Sequence, residues 1–145
     1  MLLAAMEMPE QICGLVGTAC ATDSLLRRFK TLPRDVKTQI KTKGIWEFPS
    51  RYSDVPYVLS WKVVEEAHQH ELLDKKLEIS CPVRLLHGMN DLDVPYRVSL
   101  DTCKQLKSSD VTVTLIKDGD HRLSDPTNLV IIKKTVKDLF LDVSD

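Results

Sequence analysis

Two short apolar runs, each ending in a loop of glycine and acid, limit the folds open to this chain more than anything else in it. The first, Val83-Arg84-Leu85-Leu86, drives into His87-Gly88-Met89-Asn90-Asp91-Leu92-Asp93 and closes on Val94-Pro95. The second, Val111-Thr112-Val113-Thr114-Leu115-Ile116, ends in Asp118-Gly119-Asp120-His121. Aliphatic and β-branched residues in runs of this length are strand signals. The glycine after the first run lets the backbone turn sharply, and Pro95 suits the first turn of a following helix. Asp91 and His121 are thereby expected in loops at the carboxyl edge of one sheet, where open α/β folds keep their chemistry.

The rest of the chain fills in around these strands. Residues 1–8 favour a short helix that Pro9 ends. Residues 12–17, Ile-Cys-Gly-Leu-Val-Gly, read as a buried parallel strand. From residue 22 to residue 79 the texture changes to charged, helical and without strand signals. Asp23 can cap a helix carrying Leu25, Leu26 and Phe29, and Pro33 opens another that runs to Gly44. Residues 45–56 read as an aromatic loop holding Trp46, Phe48 and Tyr52, followed by a longer helix with Trp61, Val64, Ala67 and Leu72. A helix over 96–106 separates the two diagnostic strands, and a last one spans about 127–141. With the middle block set aside, helices and strands alternate, and such alternation implies a parallel sheet. The expected organisation is an α/β core of three parallel strands with flanking helices, from residues 1–21 and 80–145. Residues 22–79 form a helical insertion that leaves a strand's carboxyl end as a cap or lid.

Composition narrows the function classes. Among 145 residues, twenty Lys and Arg against twenty-one Asp and Glu leave a net charge of −1, which offers no basic face for nucleic acid. The apolar opening follows no basic segment and is broken by Pro9, so it suits neither a membrane span nor a signal or transit peptide. Taken as it stands, the chain is expected in the cytoplasm. The four cysteines, Cys13, Cys20, Cys81 and Cys103, lack C-x-x-C spacing. They are expected as buried reduced thiols rather than zinc ligands.

An acid after one strand and a histidine after the next is the order in which α/β-hydrolases supply the last two members of a Ser…Asp…His triad. In that reading His121 takes the nucleophile's proton while Asp91 holds its tautomer. Asp93 competes for the acid's role and periodicity does not separate the two; the glycine turn, Val94-Pro95 and the downstream histidine favour Asp91. Asp120 and Arg122 either fix the loop or stay solvated, the solvated reading being preferred, and His87 reads as structural, packed against the loop beneath Asp91. His68 and His70, two apart on a helix, face different directions and make a poor metal pair; no metal or cofactor is expected. Trp46, Phe48, Tyr52 and Trp61 are candidates for a substrate pocket, with core packing as the alternative. No G-x-S-x-G motif occurs in the chain, so the strained turn that exposes a nucleophilic serine is missing.

Several segments together resemble the family of α/β-hydrolase domain-containing protein ten, mitochondrial palmitoyl-protein thioesterases and acyl-glucuronide esterases. They are Met1-Leu2-Leu3-Ala4-Ala5, Leu32-Pro33, Lys43-Gly44-Ile45-Trp46, Pro49-Ser50-Arg51-Tyr52-Ser53, Cys81 to Met89 and Asp120-His121-Arg122. The resemblance covers the C-terminal half of that family. It implies an α/β-hydrolase fold, Asp91 as triad acid, His121 as triad base, S-acylated proteins or small acyl esters as substrates, and a mitochondrial location for the full-length relative. Two function classes follow: a fragment of a serine hydrolase without its nucleophile, or an inactive truncated isoform acting as an interaction piece. The opening helix is short, apolar and without an N-cap residue. A Gly-x-Ser-x-Gly elbow is accordingly expected within roughly ten residues upstream of Met1 in the full-length reading frame.

Overall fold

The computed structural model describes residues 1–50 and 53–144; Tyr52, among the pocket candidates, lies outside them. In chain order the elements are α1 (Leu2–Glu7), β1 (Leu15–Thr18), α2 (Ser24–Thr31), α3 (Arg34–Lys43), β2 (Ile45–Phe48), β3 (Tyr57–Ser60), α4 (Trp61–Gln69), β4 (Val83–Gly88), α5 (Arg97–Gln105), β5 (Val111–Ile116) and α6 (Pro126–Asp142). They fall into two compact units: Met1–Thr22 with Leu72–Asp145, and Asp23–Glu71. Among the described residues no helix is long and apolar enough to cross a membrane.

The first unit is built on a parallel sheet of order β1-β4-β5. The central strand is apolar almost throughout because both its faces are covered; Val83, Leu85, Leu86 and His87 are fully buried. The register pairs Val83 with Leu15 on one side and with Val111 on the other, and ends at His87 with Leu115 and Gly88 with Ile116. Both diagnostic loops therefore leave the same carboxyl edge. Helix α6 starts at Asp125, whose Oδ1 accepts from the Asn128 backbone N–H at 3.0 Å, with Pro126 in the first turn.

The core of this unit gathers Leu2, Ala5, Leu15, Val83, Leu85 and Leu106 together with Leu72, Leu77 and Ile79. The last three were expected in the inserted block, which the sequence carried to residue 79. They pack here because the Leu77 N–H donates to the Gln105 carbonyl at 2.8 Å and the Lys107 N–H to the Leu77 carbonyl at 3.0 Å, tying this stretch to the end of α5. The cysteines also depart from expectation: Cys13 is exposed, and Cys20, Cys81 and Cys103 are half-buried.

The second unit corrects two further readings. Residues 45–56 are not simply an aromatic loop: β2 and β3 pair antiparallel, Trp46 opposite Leu59 and Phe48 opposite Tyr57. Gly44, at φ 79°, ends α3 in the left-handed conformation and redirects the chain. Beyond it Ile-Trp-Glu-Phe alternates exposed and half-buried, the period of a strand with one covered face. The following helix is shorter than expected. It begins where Ser60 Oγ accepts from the Val63 N–H at 3.2 Å and stops at Gln69, before Leu72. Asp23 does occupy the N-cap position of α2, but with φ 53° and without a side-chain capping bond. Leu26, Phe29, Ile40, Leu59 and Val64 form this unit's own core.

Candidate active site

The two loops of the first unit meet through a pair of glycines. A Cβ on Gly88 would lie 2.2 Å from the Gly119 carbonyl oxygen and 2.5 Å from that of Asp120. A Cβ on Gly119 would lie 2.6 Å from Leu123 Cδ2 and 3.1 Å from Gly88 Cα. The chain does turn after Gly88, whose carbonyl accepts from the Asp91 N–H at 3.3 Å, but its φ is not positive, so glycine is required there for the close approach of two backbones. The approach is stitched by Met89 N–H to the Ile116 carbonyl at 2.8 Å and Asn90 N–H to the Gly119 carbonyl at 3.0 Å.

Each loop is then fixed internally. Asp120 is exposed, as the preferred reading had it, and it also fixes the loop: its Oδ1 accepts from the backbone N–H groups of Arg122 at 3.1 Å and Leu123 at 2.8 Å. That turn, a common habit of Asp, holds the backbone around His121. Leu123 is fully buried at φ 47°, a left-handed conformation that costs a non-glycine residue about 1–2 kcal/mol and persists because the side chain is anchored. In the other loop Asp91 Oδ1 accepts from the backbone N–H groups of Asp93 and Val94, both at 2.8 Å.

Asp91 Oδ2 faces the second loop. It accepts from Nδ1 of His121 at 2.8 Å and from Nε2 of His87 at 3.1 Å. Asp93 does not take this place; it lends a backbone N–H to Asp91. The Asp91 side chain has no exposed surface, whereas that of His121 is 34% exposed. Burial by itself raises the Asp91 carboxyl's pKa. The N–H of Val94, the His121 ring and the N–H of Asp93 outweigh it and hold the group below the ordinary carboxylate value. His87, read as structural, is indeed buried, but it touches Asp91 directly; its Nδ1 lies 2.7 Å from Ser99 Oγ and its Nε2 2.9 Å from the Val94 carbonyl. Its place four residues before Asp91 was the available signal.

A histidine whose Nδ1–H is bound to a buried carboxylate presents Nε2 as a proton acceptor. Among the described residues, Asp91, Asp93 and His121 could each offer one ligand atom to a metal, all within 4.8 Å of one another. Asp91 Oδ2 is already bonded to Nδ1 of His121, and Asp91 Oδ1 to the backbone N–H groups of Asp93 and Val94. His68 and His70 are exposed in the second unit. There Trp46 stacks on Phe48 at 4.9 Å between centroids, Trp61 lies 5.8 Å from Phe29, and all three candidates pack half-buried against that unit's core. Of them, Phe48 also borders an open cleft of about 490 Å³ with Glu47, Pro49, Asp54 and Pro56.

No family model matches the chain. It is 38% identical over 140 residues to the human protein named palmitoyl-protein thioesterase ABHD10, mitochondrial, a match covering 96% of this chain and 46% of that one. The solved structure of mouse α/β-hydrolase domain-containing protein 10 superposes with a TM-score of 0.90 at 37% identity, covering 99% of this chain and 58% of that one. A putative hydrolase from Agrobacterium vitis S4 also gives 0.90, at 28% identity, covering 95% and 56%. The chain spans about half the length of the curated relatives it matches. Its architecture is therefore the C-terminal part of an α/β-hydrolase fold, and over nearly its whole length it is similar to the C-terminal part of α/β-hydrolase domain-containing protein 10.

Proposed function

We propose that this chain supplies the acid and base of a serine-hydrolase triad whose nucleophile is not among these 145 residues. The substrates in this reading are acyl esters: S-palmitoyl thioesters of proteins first, acyl glucuronides second; the mitochondrion is the location named for the full-length relatives. The observation that carries it is the 2.8 Å contact between His121 Nδ1 and the buried Asp91 Oδ2.

In this mechanism a serine oxygen attacks the acyl carbonyl while His121 Nε2 takes its proton. Asp91 stays ionised, keeps the ring in the Nδ1–H tautomer and stabilises the imidazolium. His121 returns the proton to the departing thiolate or alkoxide, leaving an acyl-enzyme. Water, deprotonated by the same nitrogen, then attacks the acyl-enzyme, and His121 gives that proton to the departing serine oxygen as the carboxylic acid is released. A triad acts as a unit, and loss of its serine alone costs about 10⁶ in turnover in subtilisin. This chain by itself is accordingly expected to be inactive.

A serine-directed fluorophosphonate probe tests the reading. The purified chain should take up no label, and the protein from the longest reading frame containing it should label at one Gly-x-Ser-x-Gly serine. Labelling of the chain on one of its own serines would overturn the assignment.

A further inference from the structure

The carboxylate of Asp91 serves two imidazoles on one oxygen, and the reaction just proposed uses only one of them. His87 and Ser99 are fully buried, and the Asp91 side chain has no exposed surface. A line of contacts runs from Ser99 Oγ to His87 Nδ1 at 2.7 Å, from His87 Nε2 to Asp91 Oδ2 at 3.1 Å, and from Oδ2 to His121 Nδ1 at 2.8 Å. The Val94 carbonyl fixes its sense. A carbonyl can only accept, so the 2.9 Å contact from His87 Nε2 requires the hydrogen on that nitrogen. That hydrogen is shared between the Val94 carbonyl and Asp91 Oδ2, and Nδ1 is left to the Ser99 hydroxyl.

We propose that His87 is a positioning residue for the Asp91–His121 pair, an inference that rests on the acid–base reading of that pair. The two backbone N–H groups on Oδ1 locate one oxygen of Asp91, and the His87 Nε2–H locates the other. Rotation of the carboxylate about its own axis would trade both sets of contacts at once. With His87 in place, Oδ2 is presented to His121 Nδ1 before any substrate arrives, and the catalytic imidazole is kept in the tautomer that leaves Nε2 bare. Support of this kind from a neighbouring group is what holds a proton-transfer pair to productive geometry. Ser99, on α5, anchors the far side of the His87 ring.

The test reads the tautomer of His121 in this chain from its ¹⁵N side-chain chemical shifts, which separate protonated from bare ring nitrogens. In the unaltered chain the Nδ1–H form should dominate. His87→Phe keeps a ring but no donor, and should lower the ratio of Nδ1–H to Nε2–H forms at His121 about tenfold, the scale of one hydrogen bond to a charged group. His87→Gln, whose amide can donate from nearly the same point, should restore the ratio. Amide spectra report whether each variant is folded, and His87→Met replaces the phenylalanine variant if that one is not. Asp91→Asn is the reference arm. If it shifts the tautomer while loss of the His87 donor does not, the positioning role falls and the acid–base reading stands. If Asp91→Asn itself leaves the tautomer unchanged, the acid–base reading falls and the positioning role with it.

Discussion

Gly88→Ala is the substitution whose consequence follows most directly from the packing. The new Cβ would meet Gly119 O at 2.2 Å, Gly119 C at 2.4 Å and Asp120 O at 2.5 Å, all backbone atoms. Ordinary carbon–oxygen contact needs about 1 Å more than this, in line with the 3.5–4.0 Å spacing of carbon pairs at optimal separation, so the two loops must part. Parting them strains the 3.0 Å bond from Asn90 N–H to Gly119 O, which crosses the same gap. Overpacking costs about 1–3 kcal/mol and a backbone hydrogen bond about 1 kcal/mol, giving a loss of about 2–4 kcal/mol. Gly17→Ala is the matched control. Its Cβ would also come within 2.9 Å of an atom, but that atom is Met1 Cε, the far end of a flexible side chain; the next is the buried Leu85 Cδ2 at 3.2 Å, and the three nearest atoms are all side-chain atoms. It should cost less than about 1 kcal/mol. Urea unfolding followed by circular dichroism measures both midpoints and slopes. A Gly88→Ala midpoint no lower than that of Gly17→Ala would refute the claim that this glycine pair is what lets the two loops meet.

Further outcomes follow from the same contacts. Because the folded chain holds the Asp91 carboxyl below its ordinary value, its ionised form stabilises the fold. That contribution is complete above the unfolded-state value near pH 4 and is lost as pH falls through the folded one. The stability gap between the unaltered chain and Asp91→Asn, read from urea midpoints, should accordingly narrow below about pH 4; a gap constant with pH would contradict this. Arg84 reaches Asp110 with two contacts, at 2.7 and 3.1 Å, in a partly exposed setting. Arg84→Met should therefore cost about 1 kcal/mol or less, shrinking in high salt, as denaturation at two ionic strengths will show. Asp125→Ala removes the cap from α6, where Oδ1 also accepts from the Asn128 N–H, and should cost about 1 kcal/mol by the same assay.

The parts of the structure that were legible beforehand are those whose residues signal locally. The run Val83–Gly88 is apolar because it is central, and the strand Val111–Ile116 has the bounds its composition suggested. The loops after them bring Asp91 and His121 together. The hairpin Ile45–Phe48 with Tyr57–Ser60 was hidden because each strand is four residues long and a proline-containing connection separates them. Its aromatic residues fit a loop or a strand equally well. Leu72 carries the hydrophobic spacing of the preceding helix, and spacing says nothing about which core a residue enters; Leu77 and Ile79 stand among charged residues that resemble those of the insertion. The role of Gly119 was the least visible, and that of Asp120 was open between fixing the loop and facing solvent. One is defined by what lies across from it in another loop, and the other by hydrogen bonds to its own backbone neighbours.

The most direct test of the central claim is the turnover number of Asp91→Asn in the protein encoded by the longest reading frame that contains this chain, with an S-palmitoyl thioester as substrate. An asparagine in this position keeps the shape but offers the His121 ring a donor or a neutral oxygen in place of a charged one. The analogous change in the triad of a chymotrypsin-like serine protease lowers kcat about 10⁴-fold. The account predicts a fall on the order of 10³–10⁴ in kcat, with KM little changed and His121→Ala at least as severe. An Asp91→Asn enzyme that turns over within about tenfold of the unaltered protein, far short of that scale, would contradict it.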